Sequence, residues 1–373
     1  MFNVLLLGAG KIGACISAML LESKDYNVTV ADQSEAACKK LSSHFKDKII
    51  AQALDTNDNA ALKKILTGKD AVISALPFFC NEAVAKEAVQ LGVHYFDLTE
   101  DIKTTKAVTD IAKSGDVIVM PQCGLAPGFV GIVANHINKL FDKTVSVKLR
   151  VGALPVYPTN RMKYSLTWST AGLINQYCNP CEAIRDGKIV SLEPLEGCET
   201  ISIDGTEYES FNTSGGLGGL ASALVSSGRD NVNSIDYKTL RYPGHRELVM
   251  LLLQDLNLKY KRELLGEIFE AAMPRTLQDK CIVFVEGIGL NENQLMQKTY
   301  SSTVYAGKLA GDHYGAIQLT TAAGICAPMD LVLTNSLNKK SGHVASHEVP
   351  LEQFLKNRFG KVYLDTKAAE GIL

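Results

Sequence analysis

The chain has 373 residues, 46% of them hydrophobic, and a formal net charge of −2 at pH 7. This balance gives no electrostatic case for nucleic acid or an anionic membrane, and the length predicts two domains with sizeable cores. Nine cysteines, an odd number spread over a long chain, predict reduced thiols, and no apolar run reads as a membrane span or signal peptide, so a soluble, cytoplasmic protein is expected.

Phe2 to Leu7 is an almost unbroken apolar run, as in a buried parallel strand. It ends in Gly8-Ala9-Gly10-Lys11-Ile12-Gly13, after which the chain turns helix-friendly. Gly8 makes the tight turn, Gly10 lets the backbone approach a pyrophosphate, and Gly13 lets the helix pack on the strand. The helix start offers free N–H groups, including those of Lys11 and Ile12, and a positive dipole end. Val28 to Ala31 is a second strand with Asp32 at its end, followed by Gln33, Ser34 and Glu35 without a cation. A carboxylate there accepts ribose hydroxyls and repels a 2′-phosphate, so NAD is favoured over NADP.

Glu35 to His44 reads as a helix, Ile49 to Ala53 as a third strand leading to Asp55, and Asn59 to Leu66 as a helix. Ala71 to Leu76 is strand four, stopped by Pro77-Phe78-Phe79; Ala75, Leu76 and Pro77 should face the cofactor's middle and nicotinamide end. Asn81 to Leu91, strand five at Val93 to Asp97, Lys103 to Lys113 and strand six at Val117 to Met120 complete an alternation that predicts a doubly wound parallel sheet. Residues 1–125 are thus expected to form a Rossmann-type dinucleotide-binding domain.

Prolines and glycines between Pro121 and Gly128 mark a boundary before a helix at Val130 to Lys139. Beyond it, Val145 to Val151, Tyr164 to Trp168, Lys188 to Leu192, Glu199 to Ile203 and Asp236 to Leu240 read as strands. Val283 to Leu290 and Gln297 to Tyr305 read as a hairpin, and helices are expected near Leu173 to Tyr177, Leu217 to Ser226 and Arg246 to Leu253. Residues 126–314 are therefore expected to be an α+β domain on a mostly antiparallel sheet, for substrate binding and dimerisation. Gly315 to Leu337 is a long apolar helical stretch with a break expected at Pro328, in a segment 315–373 that returns to the nucleotide domain and ends in a polar tail.

A nicotinamide cofactor moves hydride, so the partner is an alcohol or amine, or the matching carbonyl or imine. GAGKIG, YFDLTED at 95–101, CGLAPGF at 123–129, INQYCNPCEAIRDGK at 174–188, FNTSGGLGGL at 211–220 and DYKTLRYPGH at 236–245 together resemble the saccharopine dehydrogenase family, closest to its lysine 6-dehydrogenase-like and bacterial saccharopine dehydrogenase branch. The resemblance implies NAD(P)-linked oxidation of an amino acid's C–N bond, through an imine that water hydrolyses. A reductive synthase joining an aldehyde to an amine, and a non-catalytic dinucleotide-binding regulator, are the alternatives.

Such chemistry needs a group that favours the neutral amine and a donor for the substrate carboxylate. Asp97, just past strand five, is the first candidate for touching the amine, the alternative being a turn or helix-cap Asp; Glu100 and Asp101 read as first-turn helix acids. The resemblance puts Cys123 in the nicotinamide pocket, with plain core packing as the alternative. Arg241 and His245, on either side of Pro243-Gly244, can clamp a carboxylate and hydrogen-bond it or relay a proton, the alternative being a structural Arg paired to an acid. Ser214 and Gly215 offer a hydroxyl and bare N–H groups for an anion, or form a simple loop, and Trp168 is a pocket wall or ordinary core packing. Family members carry a basic residue near Ala171, so its absence here favours a smaller substrate such as lysine over saccharopine. Cys178-Asn179-Pro180-Cys181 is read as chance spacing, and no metal is predicted. A homodimer is expected through the exposed edge of the 283–305 hairpin.

Overall fold

A computed structural model describes residues 1–226 and 232–364. The first half follows the expected alternation: β1 (Phe2–Leu7), α1 (Lys11–Ser23), β2 (Tyr26–Asp32), α2 (Glu35–His44), β3 (Ile50–Ala53), α3 (Asn59–Leu66), β4 (Ala71–Ser74), α4 (Asn81–Gln90), β5 (His94–Asp97), α5 (Ile102–Ile111) and β6 (Ile118–Met120). The strands pair in parallel in the order β6-β5-β4-β1-β2-β3. Side chains cap several helices: Ser34 Oγ accepts from Ala37 N, Asp58 Oδ1 from Ala60 and Ala61 N, and Asp101 Oδ1 from Thr104 N. The start of α1 has no such cap.

After α6 (Phe129–Asn138) the second sheet begins with β7 (Lys143–Pro155), a 13-residue strand. It continues through α7 (Thr170–Cys178), β8 (Cys181–Arg185), β9 (Lys188–Leu192), β10 (Glu199–Ile203), β11 (Thr206–Asn212), α8 (Leu220–Ser226), β12 (Val232–Arg241), α9 (His245–Met250), α10 (Arg262–Ala272), β13 (Asp279–Asn291) and β14 (Gln294–Tyr305). The order is β10-β11-β12-β7-β13-β14, with β8 joining β12 to β9, and every pair is antiparallel except β12 with β7. The β13–β14 hairpin closes on Glu292 and Asn293, both at positive φ, as a tight two-residue turn requires. Tyr164 to Trp168 forms no strand; it is an extended loop held by Leu166 N donating to the Pro274 carbonyl.

A small hairpin, β15 (Gly307–Leu309) with β16 (Asp312–Tyr314), leads into α11 (Ala316–Leu333). The chain then adds β17 (Gly342–His343) beside β6, as a seventh strand of the first sheet, and ends in α12 (Leu351–Lys356) and a short turn of helix. The expected break at Pro328 is absent. α11 runs through the proline because it is buried almost all round, between α1 and β13, and packing outweighs the lost hydrogen bond. By length and composition α11 could cross a membrane, yet here it is a core helix. One apolar core joins the first sheet, α1, α6 and α11 to the near face of the second sheet. Asp330 of α11 ties the C-terminal segment down: it accepts from Tyr26 Oη, from Arg358 Nη2 at 2.6 Å and from Asn357 Nδ2 at 2.6 Å. The polar tail expected beyond Leu364 lies outside the described residues.

Candidate active site

The turn between β1 and α1 is shaped for an anion. Gly8 holds φ = 110°, and a β-carbon there would lie 2.9 Å from the Ala75 carbonyl oxygen. A β-carbon on Gly13 would sit 1.9 Å from the Gly8 oxygen, so α1 can approach β1 only through glycine. Gly10 differs: a β-carbon there would meet nothing within 4 Å. It is the N-cap of a 13-residue helix with no acid in its first turn, so free N–H groups and a positive helix end face open space.

Asp32 Oδ2 accepts from Ala9 N and Oδ1 from Ser34 N, both at 2.8 Å. It braces the turn and keeps further lone pairs for ribose hydroxyls. Gln33 is exposed, Asp55 spends Oδ1 on the Asn57 N–H and amide, and half-buried Ala75 and Leu76 lead to exposed Pro77 beside the turn. Lys11 also lines a pocket of about 330 Å³ at the seam of the two domains, with Thr167, Arg275, Asp279 and Gln318 opposite. These residues fit a dinucleotide: glycines that let the turn close tightly and leave open space at Gly10, and a helix start with no side-chain cap.

Across the seam, Arg241 ends β12. Its side chain is buried, with the residue 2% exposed, and its guanidinium lies 4.8 Å over the Tyr164 ring. Nε donates to Tyr177 Oη at 2.9 Å, and Nη1 donates to Thr239 Oγ1 at 2.6 Å and to the Leu240 carbonyl at 2.8 Å. No carboxylate pairs with it among the described residues, and Nη2 has no hydrogen-bond partner there. A buried cation among neutral partners is costly, and a ligand carboxylate would offset that cost.

His245 lies fully buried against Tyr177. Arg241 can only donate, so the Tyr177 hydroxyl gives its own proton to His245 Nε2 at 2.9 Å, and His245 Nδ1–H donates to the Met162 carbonyl at 2.8 Å. Burial, and then the Arg241 charge, push the imidazole down to about 3. It is a neutral strut that holds Tyr177, and through it Arg241.

Two further candidates lie behind the site surface. Asp97 is fully buried and takes hydrogen bonds from Tyr95 Oη, Thr99 N and Gln122 N. Burial pushes its carboxyl up to about 6, although the three donors pull it back. Cys123 is equally buried, its thiol donating to the Met120 carbonyl at 3.2 Å, and burial raises it far above the range of a reactive thiol. Neither side chain is exposed in this structure. Ser214 spends its hydroxyl proton on the Asn175 carbonyl at 2.9 Å.

The acid that does face the second domain is Glu100. It stands one residue before the Asp101 cap of α5. A β-carbon on Gly172 would lie 3.1 Å from Glu100 Oε1 and 2.5 Å from Trp168 Cζ3; one on Gly215 would lie 3.7 Å from Glu100 Cβ. Glu100 thus sits between Trp168, the start of α7 and the Gly215 loop. It is half-buried, has no hydrogen bond or ion pair among the described residues, and burial followed by the Asp101 charge holds its carboxyl above the usual range. Trp168 Nε1 donates to Tyr164 Oη at 2.8 Å, which links this corner to Arg241. Glu100 meets α7 at Gly172, while Arg241 meets it at Tyr177, five residues and roughly 7.5 Å further along the helix axis. Gln176 Oε1 and Thr213 Oγ1 are buried there without partners. The arrangement offers one cation and one acid that have no charged partner among the described residues.

Cys178 and Cys181, the CxxC pair, are buried free thiols, and burial pushes Cys181 up to about 12. No group of three His, Cys, Asp or Glu side chains suited to a metal ion occurs among the described residues.

A family model described as the saccharopine dehydrogenase NADP binding domain matches residues 4–120, and one described as the saccharopine dehydrogenase C-terminal domain matches residues 124–361. The saccharopine dehydrogenase [NADP(+), L-glutamate-forming] of Saccharomyces cerevisiae is 31% identical over 209 residues, covering 52% of this chain and 45% of that protein. The match thus spans less than half the length of the yeast relative. In structure it is similar to apo saccharopine dehydrogenase (L-Glu forming) from Saccharomyces cerevisiae, with a TM-score of 0.76, 19% identity, and 95% and 96% of the two chains covered. It is also similar to a homospermidine synthase from Legionella pneumophila in complex with NAD, with a TM-score of 0.68, 15% identity, and 97% and 90% covered. At these identities both structures establish the fold alone.

Proposed function

Because this chain belongs to the saccharopine dehydrogenase family, we propose that it is an NAD(P)-dependent oxidoreductase acting on the C–N bond of an amino acid. The observation that carries the proposal is the pair Arg241 and Glu100: a buried guanidinium with no anion and a half-buried carboxylate with no cation among the described residues, both against α7. The first suits a substrate carboxylate, the second a substrate amine.

Gly8, Gly10, Gly13 and Asp32 would hold the dinucleotide, which supplies a hydride acceptor when bound. Arg241 anchors the substrate carboxylate. Glu100 removes a proton from the amine, which as a free side-chain ammonium would stay protonated up to ~10.4. With the nitrogen lone pair freed, the C–H pair beside it leaves as hydride and a C=N bond forms. Water then adds to that carbon and the C–N bond breaks, giving a carbonyl compound and an amine. The test is turnover of dinucleotide with saccharopine and with lysine, followed by the absorbance of the reduced nicotinamide. Turnover of one supports the reading; turnover of neither defeats it.

Within this reading we assign NAD as the preferred dinucleotide, although the family model and the yeast relative carry NADP in their names. Support comes from Asp32 at the end of β2, with Gln33, Ser34 and Glu35 following and no cation among them. Asp32→Ala is expected to weaken NAD binding by about tenfold, the scale of one charge-assisted hydrogen bond, and to leave NADP binding unchanged or tighter. Calorimetry with both nucleotides measures this, and equal weakening would show that Asp32 only braces the turn.

A further inference from the structure

The loops that carry Glu100 and Gln122 leave neighbouring strands, β5 and β6, and one carboxylate holds both. Asp97 Oδ1 accepts from Thr99 N at 2.9 Å and from Gln122 N at 3.0 Å, Oδ2 accepts from Tyr95 Oη at 2.9 Å, and the Asp97 carbonyl accepts from Cys123 N at 2.8 Å. Gln122 is held at φ = 62°, a left-handed conformation that costs a residue with a side chain. From there its amide crosses to the second domain, where Oε1 accepts from Gly219 N at 3.1 Å. A β-carbon on Gly218 would come within 2.7 Å of the same oxygen. The loop clasped in this way begins at Thr213 and contains Gly215, which packs against Glu100. The contacts close into a ring: Asp97, Gln122, the glycine loop, Glu100, Thr99 and Asp97 again.

We propose that Asp97 is the positioning residue that couples the two domains at the site, fixing the Thr213–Gly219 loop through Gln122 and aiming Glu100 through Thr99. This rests on the reading of Glu100 and Arg241 as substrate groups. Positioning needs the two lone pairs of Oδ1 and no negative charge. Asparagine offers the same oxygen to both N–H groups, and its amide can donate to Tyr95 Oη.

The test compares Asp97→Ala with Asp97→Asn, using whichever of saccharopine and lysine the wild type turns over. Asp97→Ala is expected to lower kcat/KM by about 100-fold, the effect of a small misplacement at a reacting centre. Asp97→Asn is expected to recover roughly tenfold or more of that loss. An asparagine variant as impaired as the alanine variant overturns the proposal, because Asp97 would then act through its charge. Asp97→Ala leaves two buried N–H groups unpaired and can fail to fold, so Gln122→Gly provides a second arm. Glycine accepts the left-handed φ and deletes only the clasp on Gly219. Its expected effect is a rise in substrate KM of about fivefold to tenfold, the scale of one hydrogen bond, with dinucleotide affinity unchanged. An unchanged KM overturns the coupling. Trp168 is the only tryptophan in the chain and lies beside Glu100, so its emission reports the loop without turnover. A shift in Gln122→Gly supports the coupling and an identical spectrum contradicts it. Absence of wild-type turnover would defeat the functional reading, while the fluorescence arm would still judge the clasp.

Discussion

Glu100→Gln is expected to reduce kcat for amine oxidation by about 10²–10⁴-fold, the range of a lost general base. The amide keeps the shape between Gly172, Gly215 and Trp168 but cannot take the amine proton. The sign of the pH dependence follows from the raised carboxyl. Glu100 must be ionised to act, so wild-type kcat/KM should rise with pH through an acidic limb lying above the ordinary glutamate range. The glutamine variant should lack that limb. His245, held near 3, adds no limb of its own near neutral pH. The variant should fold as well as the wild type, since a carboxyl whose pKa is raised on folding stabilises the protein less once pH exceeds that pKa. Its melting temperature should therefore match or exceed that of the wild type at pH 7. A glutamine variant with wild-type kcat would remove Glu100 from the chemistry.

Arg241→Met is expected to lower kcat/KM by about 100-fold, or ~2.7 kcal/mol of binding that both ground and transition states share. Most of the loss should appear in KM. The dinucleotide affinity should not change, because the cradle at Gly8 to Gly13 lies on the other domain. Arg241→Lys should not restore the wild type: an ammonium cannot reproduce the planar fork that Nε and Nη1 orient toward Tyr177 and Thr239. A methionine variant with unchanged KM would mean that Arg241 is a structural cation and that the carboxylate binds elsewhere.

Much of the first domain is legible locally. An apolar strand, a three-glycine turn and a helix with no cap need no distant information, and β2 to β6 follow by alternation. The second domain is harder. Thr206–Asn212 is strand β11, yet its buried rings Tyr208 and Phe211 stand three residues apart and break the alternation; Tyr208 lies against Tyr242 and Phe211 against Tyr177 of α7. Cys181–Arg185 and α10 were not foreseen either, and Gly266 interrupts the α10 pattern. Tyr164 to Trp168 alternates like a strand but finds no ladder. Its rings instead stack under Arg241 and beside Gly172.

The site shows the same division. Arg241 was recognisable from its place before a Pro-Gly turn, but its freedom from any anion depends on Tyr177, 64 positions earlier, taking Nε. Asp97 was placed at the right edge of the sheet. Two of its donors, Tyr95 and Thr99, are local, and they bury the carboxylate that was expected to meet the amine. Glu100 resembled a helix acid because Asp101 next to it is one. Only Gly172 and Gly215, brought together by the fold, separate the two roles.

The central claim is that the hydrogen on the carbon beside the substrate nitrogen leaves as hydride. The direct measurement uses saccharopine and lysine deuterated at the carbons that bear the nitrogen, incubated with the protein and NAD or NADP, with the nucleotide then analysed by mass spectrometry. The account predicts deuterium in the reduced nicotinamide, one equivalent for each carbonyl product released. Bound dinucleotide that gains no deuterium from either compound would contradict it.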